Sequence, residues 1–302
     1  MIRTYLRLVG VAALWGGTFI AGRIAAPQIP HFTLAALRFW AAFVVLFPLA
    51  CWQERGIPVL QRRDVLYGAL IALFGLVFYN LFFLGALELI PASRTALVVA
   101  LNPIMTAIAM ALVFKERLAA YRWFGISLAL TGVCIVLAKG DLSLIVQRVG
   151  QGELLMWGGA SCWAVYTIIS RLALQTSTAP SPLVLTTLTA LIGALILSIG
   201  IPGEWSAWSA TNVSWSAWGS ILYLGTGGTA LGFVWYAQAL AKLPAARAAV
   251  FNNLVPVFGV LFAALLLDEP ISMPMIMGGA IALAGVSLTN WSPGTKPAAQ
   301  DD

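Results

Sequence analysis

Ten apolar runs, separated by gaps too short to hold a folded domain, restrict this chain to very few folds. They fall near residues 5–25, 32–52, 65–87, 93–114, 121–138, 154–174, 183–201, 216–241, 245–267 and 273–291. About 20 mostly apolar residues cross the hydrocarbon core of a bilayer as a helix. No water there can satisfy a backbone N–H or C=O, so a spanning segment is either a helix or part of a closed barrel. Barrel strands alternate in polarity and are only about ten residues long, whereas these runs are continuous. Composition agrees: of 302 residues, 61% are apolar and 9% charged, against about 25% charged in soluble domains. The expected fold is an all-α membrane protein with about ten transmembrane helices.

A repeat divides the runs into two sets of five. Ala86-Leu87, Pro91-Ala92, Arg94, Ala96, Leu101, Pro103, Glu116, Gly125, Ala129-Leu130 and Gly132-Val133 recur at a constant offset of 153. Their counterparts are Ala239-Leu240, Pro244-Ala245, Arg247, Ala249, Leu254, Pro256, Glu269, Gly278, Ala282-Leu283 and Gly285-Val286. Nearer the N-terminus, Ala12, Trp15, Arg23 and Ala25 match Ala160, Trp163, Arg171 and Ala173 at an offset of 148. The five extra residues fit the loop 201–215, whose Trp205, Trp208 and Trp215 read as interfacial anchors. Residues 5–140 and 154–291 are thus expected to be two five-helix repeats, and 292–302 a disordered cytoplasmic tail. An odd number of spans inverts the second copy relative to the first, the plan of many secondary transporters.

With the N-terminus inside, twelve of the 17 Lys and Arg residues fall in cytoplasmic segments; Arg23, Arg38, Arg94, Lys139 and Arg148 do not. Basic residues accumulate on the cytoplasmic side, so both termini are expected there, in a bacterial-type inner membrane. The same distribution accounts for the net charge of +6 without a nucleic-acid partner. Cys51, Cys134 and Cys162 fall within spans and lack metal-ligand spacing, so neither a disulfide framework, nor a metal, nor another cofactor is expected.

These motifs, together with Leu14-Trp15-Gly16-Gly17-Thr18-Phe19 in the first run, resemble the EamA-type branch of the drug/metabolite transporter superfamily. The resemblance covers about residues 5–291. It implies an exporter or permease for small metabolites, typically amino acids, with a central cavity framed by the third, fourth, eighth and ninth helices. Sugars and nucleosides remain the alternative solutes, and the partners expected are a small-molecule substrate and the lipid bilayer, for a monomer or homodimer. A lipid-directed enzyme is the reading from another class, but the spans hold no His/Asp/Glu cluster for acid–base or metal chemistry. A sensor lacks a soluble output domain of its own.

Polar groups inside apolar runs are expensive and mark candidate sites. Asn102, Asn252 and Asn253 either face a polar cavity or join helices by hydrogen bonds. Tyr79, Asn80, Trp163, Tyr166, Trp235, Tyr236 and Gln238 place rings and polar tips in matching regions of the two halves, as cavity walls or, for the rings, as lipid anchors. Pro103 and Pro256 are expected to kink their helices and to serve either as hinges or as static bends. The run Gly225-Thr226-Gly227-Gly228-Thr229 lacks the Lys-Ser/Thr ending of a phosphate loop and reads as close helix packing, or as a point of local unwinding. Arg38 either snorkels to the outer surface or faces the cavity and holds a substrate carboxylate. No acidic residue falls at mid-span: Glu88, Glu116 and Glu269 stand at helix ends, and the first helix has no Glu. That sets the chain apart from small multidrug-resistance relatives, which exchange protons on an intramembrane Glu. His31, the only histidine, is expected in an outer loop.

Overall fold

The computed structural model describes residues 2–99, 102, 105, 109, 119–138, 150–174, 180–204, 206, 209–240, 251, 252 and 254–290, and among these no strand occurs. Pro103, Glu116, Trp205, Trp208, Asn253 and the tail 292–302 lie outside the described residues. The helical segments are α1 (Ile2–Ala25), α2 (His31–Glu54), α3 (Arg62–Leu89), α4 (Ala92–Val99), α5 (Ala120–Ala138), α6 (Gln151–Leu174) and α7 (Pro182–Glu204). There follow α8, in the contiguous pieces Trp215–Leu222, Tyr223–Leu231 and Gly232–Leu240, then α9 (Val255–Leu266) and α10 (Met273–Asn290). Four of them, α1, α2, α3 and α7, are long and apolar enough to cross a membrane.

Local chemistry sets the ends. At the start of α3, Asp64 accepts the Gln61 backbone N–H at 2.9 Å while the Gln61 side chain caps in return, which satisfies donors a helix leaves orphaned. At the end of α2, Arg55 turns left-handed at φ 56° and its N–H reaches the Cys51 and Trp52 carbonyls. Glu204, at the end of α7, accepts the backbone N–H groups of Phe32 (3.0 Å) and Thr33 (2.9 Å) and so caps the first turn of α2. Glu269 accepts the Ala92 N–H at 2.9 Å, joining the end of α9 to the start of α4.

In packing, α1 is the hub, set against α8, α9, α4 and α3; α2 lies along α7 and α8, and α6 along α3. The closest pair is α5 with α10. An added Cβ at Gly132 would strike the Gly278 carbonyl and the Ala282 backbone, and one at Gly285 would lie 2.6 Å from the Gly125 carbonyl. The repeated Gly-x-x-x-Ala-x-x-Gly pattern is therefore a packing surface, of the small-residue kind that lets helices approach where lipid removes the hydrophobic drive between them. Large apolar side chains such as Val44, Ile199, Leu265 and Leu266 point outward, a surface suited to acyl chains rather than water.

Two features depart from uniform α-helix. Ala72–Phe78 in α3 and Tyr223–Leu231 in α8 are π-helical, a wider turn found mostly at functional sites. Shifting 72–78 by 153 gives 225–231, so the two stretches coincide within the repeat offset. In α8 a glycine of the run also lets the helix approach α2 closely: a Cβ at Gly225 would lie 2.6 Å from both the Arg38 carbonyl and Ala41 Cβ. Pro256 differs from expectation. Phe251 and Asn252 are helical, Leu254 is a turn and Val255 begins α9. Pro256 thus stands in the first turn, where its missing N–H removes no intrahelical bond. The chain breaks before the proline instead of kinking at it.

Candidate functional site

A cavity of about 120 Å³ opens in the middle of the bundle between facing aromatic clusters. On one side Trp15 of α1 meets Phe233 and Tyr236 of α8, with ring centroids 5.6 and 5.4 Å away, and its indole N–H donates to the Gly228 carbonyl at 2.9 Å. On the other side Trp163 of α6 meets Tyr79 of α3 at 5.3 Å and Tyr166 of its own helix at 4.9 Å. Trp15 and Trp163, the pair related by the 148-residue offset, both line the space. Phe19, Phe83, Val99 and Val255 complete a lining that is mainly apolar.

Polar groups are few and fixed. Asn102 hydrogen-bonds with Tyr79, and the Asn252 amide donates to the Tyr236 hydroxyl at 3.4 Å. Both asparagines line the cavity, as does the Thr18 hydroxyl, which donates back to the Trp15 carbonyl at 2.6 Å.

Among the described residues of the lining, Arg38 is the charged one. It is 9% exposed and stands seven residues into α2, roughly 10 Å below the helix start at 1.5 Å per residue. Its Nη1 donates to Asn80 Oδ1 at 2.6 Å and its Nε to Thr229 Oγ1 at 3.1 Å. Each acceptor is itself held by the backbone: the Asn80 amide donates to the Leu76 carbonyl and the Thr229 hydroxyl to the Leu224 carbonyl, both at 2.8 Å. These two carbonyls belong to the π-helical stretches, so Arg38 ties the irregular parts of α3 and α8 together. Among the described residues it has no carboxylate partner; the ion pair found there joins His31 to Glu88 at 3.0 Å, at the start of α2.

The sequence pattern of the EamA-like transporter family matches residues 2–138 and again 150–291. The chain belongs to the EamA-like transporter family. It is therefore an integral membrane transporter with a small-molecule substrate. Similar proteins include an uncharacterized transporter, YyaM, of Bacillus subtilis, 27% identical over 94% of this chain and 92% of that one. A probable amino-acid metabolite efflux pump of Escherichia coli is 29% identical over 91% of each chain, and its Salmonella typhimurium namesake 28% over 91% of each. A solved crystal structure aligns with TM-score 0.65 and 22% identity over 94% of this chain and 97% of its own, a likeness of fold.

Within this transporter the candidates read from sequence separate by position. Arg38, Tyr79, Asn102, Trp163, Asn252 and Pro256 line the cavity. Asn80 and Tyr236 stand just behind the lining, holding Arg38 and Trp15. Trp235 packs on Gly10 of α1, and Gln238 is exposed, accepting from Arg7 at 2.6 Å; neither lines the cavity. Arg38, left by the sequence between snorkelling and the cavity, is buried and stands in the lining. The cavity also draws on α1, α2, α6 and α10, beyond the four helices expected. Trp15, Phe233 and Thr229 were not among the expected site residues. The signals that pointed to them were the Trp15–Trp163 match and the Gly-Thr run.

Proposed function

We propose that the protein exports small organic metabolites, amino acids or related compounds, by alternating access. Its two five-helix halves would form an inverted repeat around the central cavity, with both termini in the cytoplasm. The observation that carries this reading is the exchange of walls. Trp15, from the first helix of one half, packs on the third helix of the other, and Trp163 does the same in reverse. The packing follows the same rule: α1 with α8 answers α6 with α3, and α2 with α8 answers α7 with α3. Such a frame has two related ways to close, one on each side of the site, which is what rocking of inverted halves requires. The π-helical stretches and the break before Pro256 are the points where the backbone can give. The printed names of the Escherichia coli and Salmonella typhimurium relatives support amino-acid metabolites as the first solutes to test.

The test is efflux from vesicles reconstituted with the purified protein and loaded with labelled amino acids, sugars or nucleosides, with and without a pH gradient. Saturable, selective efflux of amino-acid compounds is the expected result. Efflux of sugars or nucleosides alone would transfer the assignment to those solutes.

A further inference from the structure

We infer that Arg38 is the anchor for a substrate carboxylate, and that the preferred substrates are net monoanions, carboxylates whose amine is absent or blocked, rather than zwitterions. The inference deepens the transport reading above and rests on it for the route, though not for the binding.

The argument starts from an uncompensated charge. A guanidinium held in a low-dielectric interior is costly unless paired, and inside a membrane such a group faces a cavity or a partner. Arg38 spends two of its five N–H donors on the neutral acceptors Asn80 and Thr229. These fix its orientation without cancelling its charge. The acidic residues among those described, Glu54, Asp64, Glu88, Glu153, Glu204, Asp268 and Glu269, stand at or near helix ends. Glu204 and Asp64 are engaged at helix ends, Glu88 pairs with His31, and among the described residues no carboxylate lines the cavity. Since no described residue supplies a counterion, a solute can, and a planar fork with donors to spare matches a carboxylate.

The rest of the lining decides what the carboxylate carries. Among the described lining residues an ammonium finds no anion; it meets aromatic rings such as Trp15 and Trp163, the amides of Asn102 and Asn252 and the hydroxyls of Thr18 and Tyr79. One fixed positive charge is balanced by a monoanion, left over by a zwitterion, doubled by a cation and overbalanced by a phosphate dianion. The affinity order expected is therefore N-acetylleucine above leucine, and leucine above leucinamide.

The test uses the full chain purified in detergent, with thermal stabilisation read against each of these three probes. N-acetylleucine is expected to stabilise the protein at the lowest concentration and leucinamide not at all. Arg38→Gln is expected to weaken N-acetylleucine about tenfold or more, the effect of a lost charge-assisted hydrogen bond, while Arg38→Lys retains part of the binding. If Arg38→Gln fails to fold, the order among the three probes on the unaltered protein still decides. Equal stabilisation by leucinamide, undiminished binding by Arg38→Gln, or no response to N-acetylleucine would each overturn the inference. Vesicle efflux separates the two readings. Binding in the expected order without efflux would leave the anchor standing and remove the transport route, whereas equal efflux of leucine and leucinamide would do the reverse.

Discussion

The α1–α8 wall and the α6–α3 wall are built alike and equipped differently. Each presents a tryptophan from the first helix of one half to aromatic rings on the third helix of the other, and each third helix is π-helical over the corresponding stretch. Yet Asn80 on α3 corresponds, at the 153 offset, to Phe233 on α8, and Val99 corresponds to Asn252. Arg38 has no counterpart: the 148 offset leads to Thr186, whose hydroxyl donates to the Pro182 carbonyl within its own helix at 2.7 Å. A frame with two-fold character can open either way, but an asymmetric site gives the solute one orientation in it. On the proposed mechanism the repeat would supply the motion and the departures from it the chemistry.

The largest expected effect on this arrangement comes from filling the contact that lets α8 approach α2. Gly225→Leu would place side-chain atoms where the Arg38 carbonyl and Ala41 now stand. A loss of about 3 kcal/mol or more is expected, since backbone cannot yield as a side chain does, and it would be read as lost monodisperse yield and thermal stability. The two ties of Arg38 come next. Asn80→Leu removes the shorter, charge-assisted bond and is expected to destabilise by about 2 kcal/mol, and Thr229→Val by about 1 kcal/mol. Equal effects in thermal denaturation would mean that the two walls share Arg38 evenly. The tryptophans allow a closer comparison. Trp15→Phe loses the bond to the Gly228 carbonyl and should fall about 1 kcal/mol below Trp163→Phe, whose indole N–H has no partner of this kind among the described residues. The smallest effect is expected from His31→Gln, about 0.5 kcal/mol or less, because its pair with Glu88 is half-exposed.

Much of this frame was legible in the chain. Apolar runs marked the helices that are described, and the constant offset of 153 links the two π-helical stretches. Asparagines within apolar runs pointed to the cavity, because an amide there needs a partner or water. Inward faces were not legible. Nearly every face of these helices is apolar, so periodicity does not separate core from lipid. That is why Trp235, of the same residue type as Trp15 and Trp163, reads like them and stands elsewhere. The role of Trp15 depends on its meeting α8 across the halves, which no linear pattern records. Arg38 was ambiguous for a different reason. Snorkelling and cavity placement share one sequence, and only the positions of Asn80 and Thr229 separate them.

Accessibility of the cavity from both sides of the membrane tests the central claim most directly. A single cysteine at Thr18, with Cys51, Cys134 and Cys162 replaced by alanine, would be exposed in vesicles to a membrane-impermeant thiol reagent from inside or from outside. Labelling from either side, slowed by a transported solute, is the expected result. Labelling from one side only, unaffected by any solute that the protein moves, would contradict alternating access through this cavity.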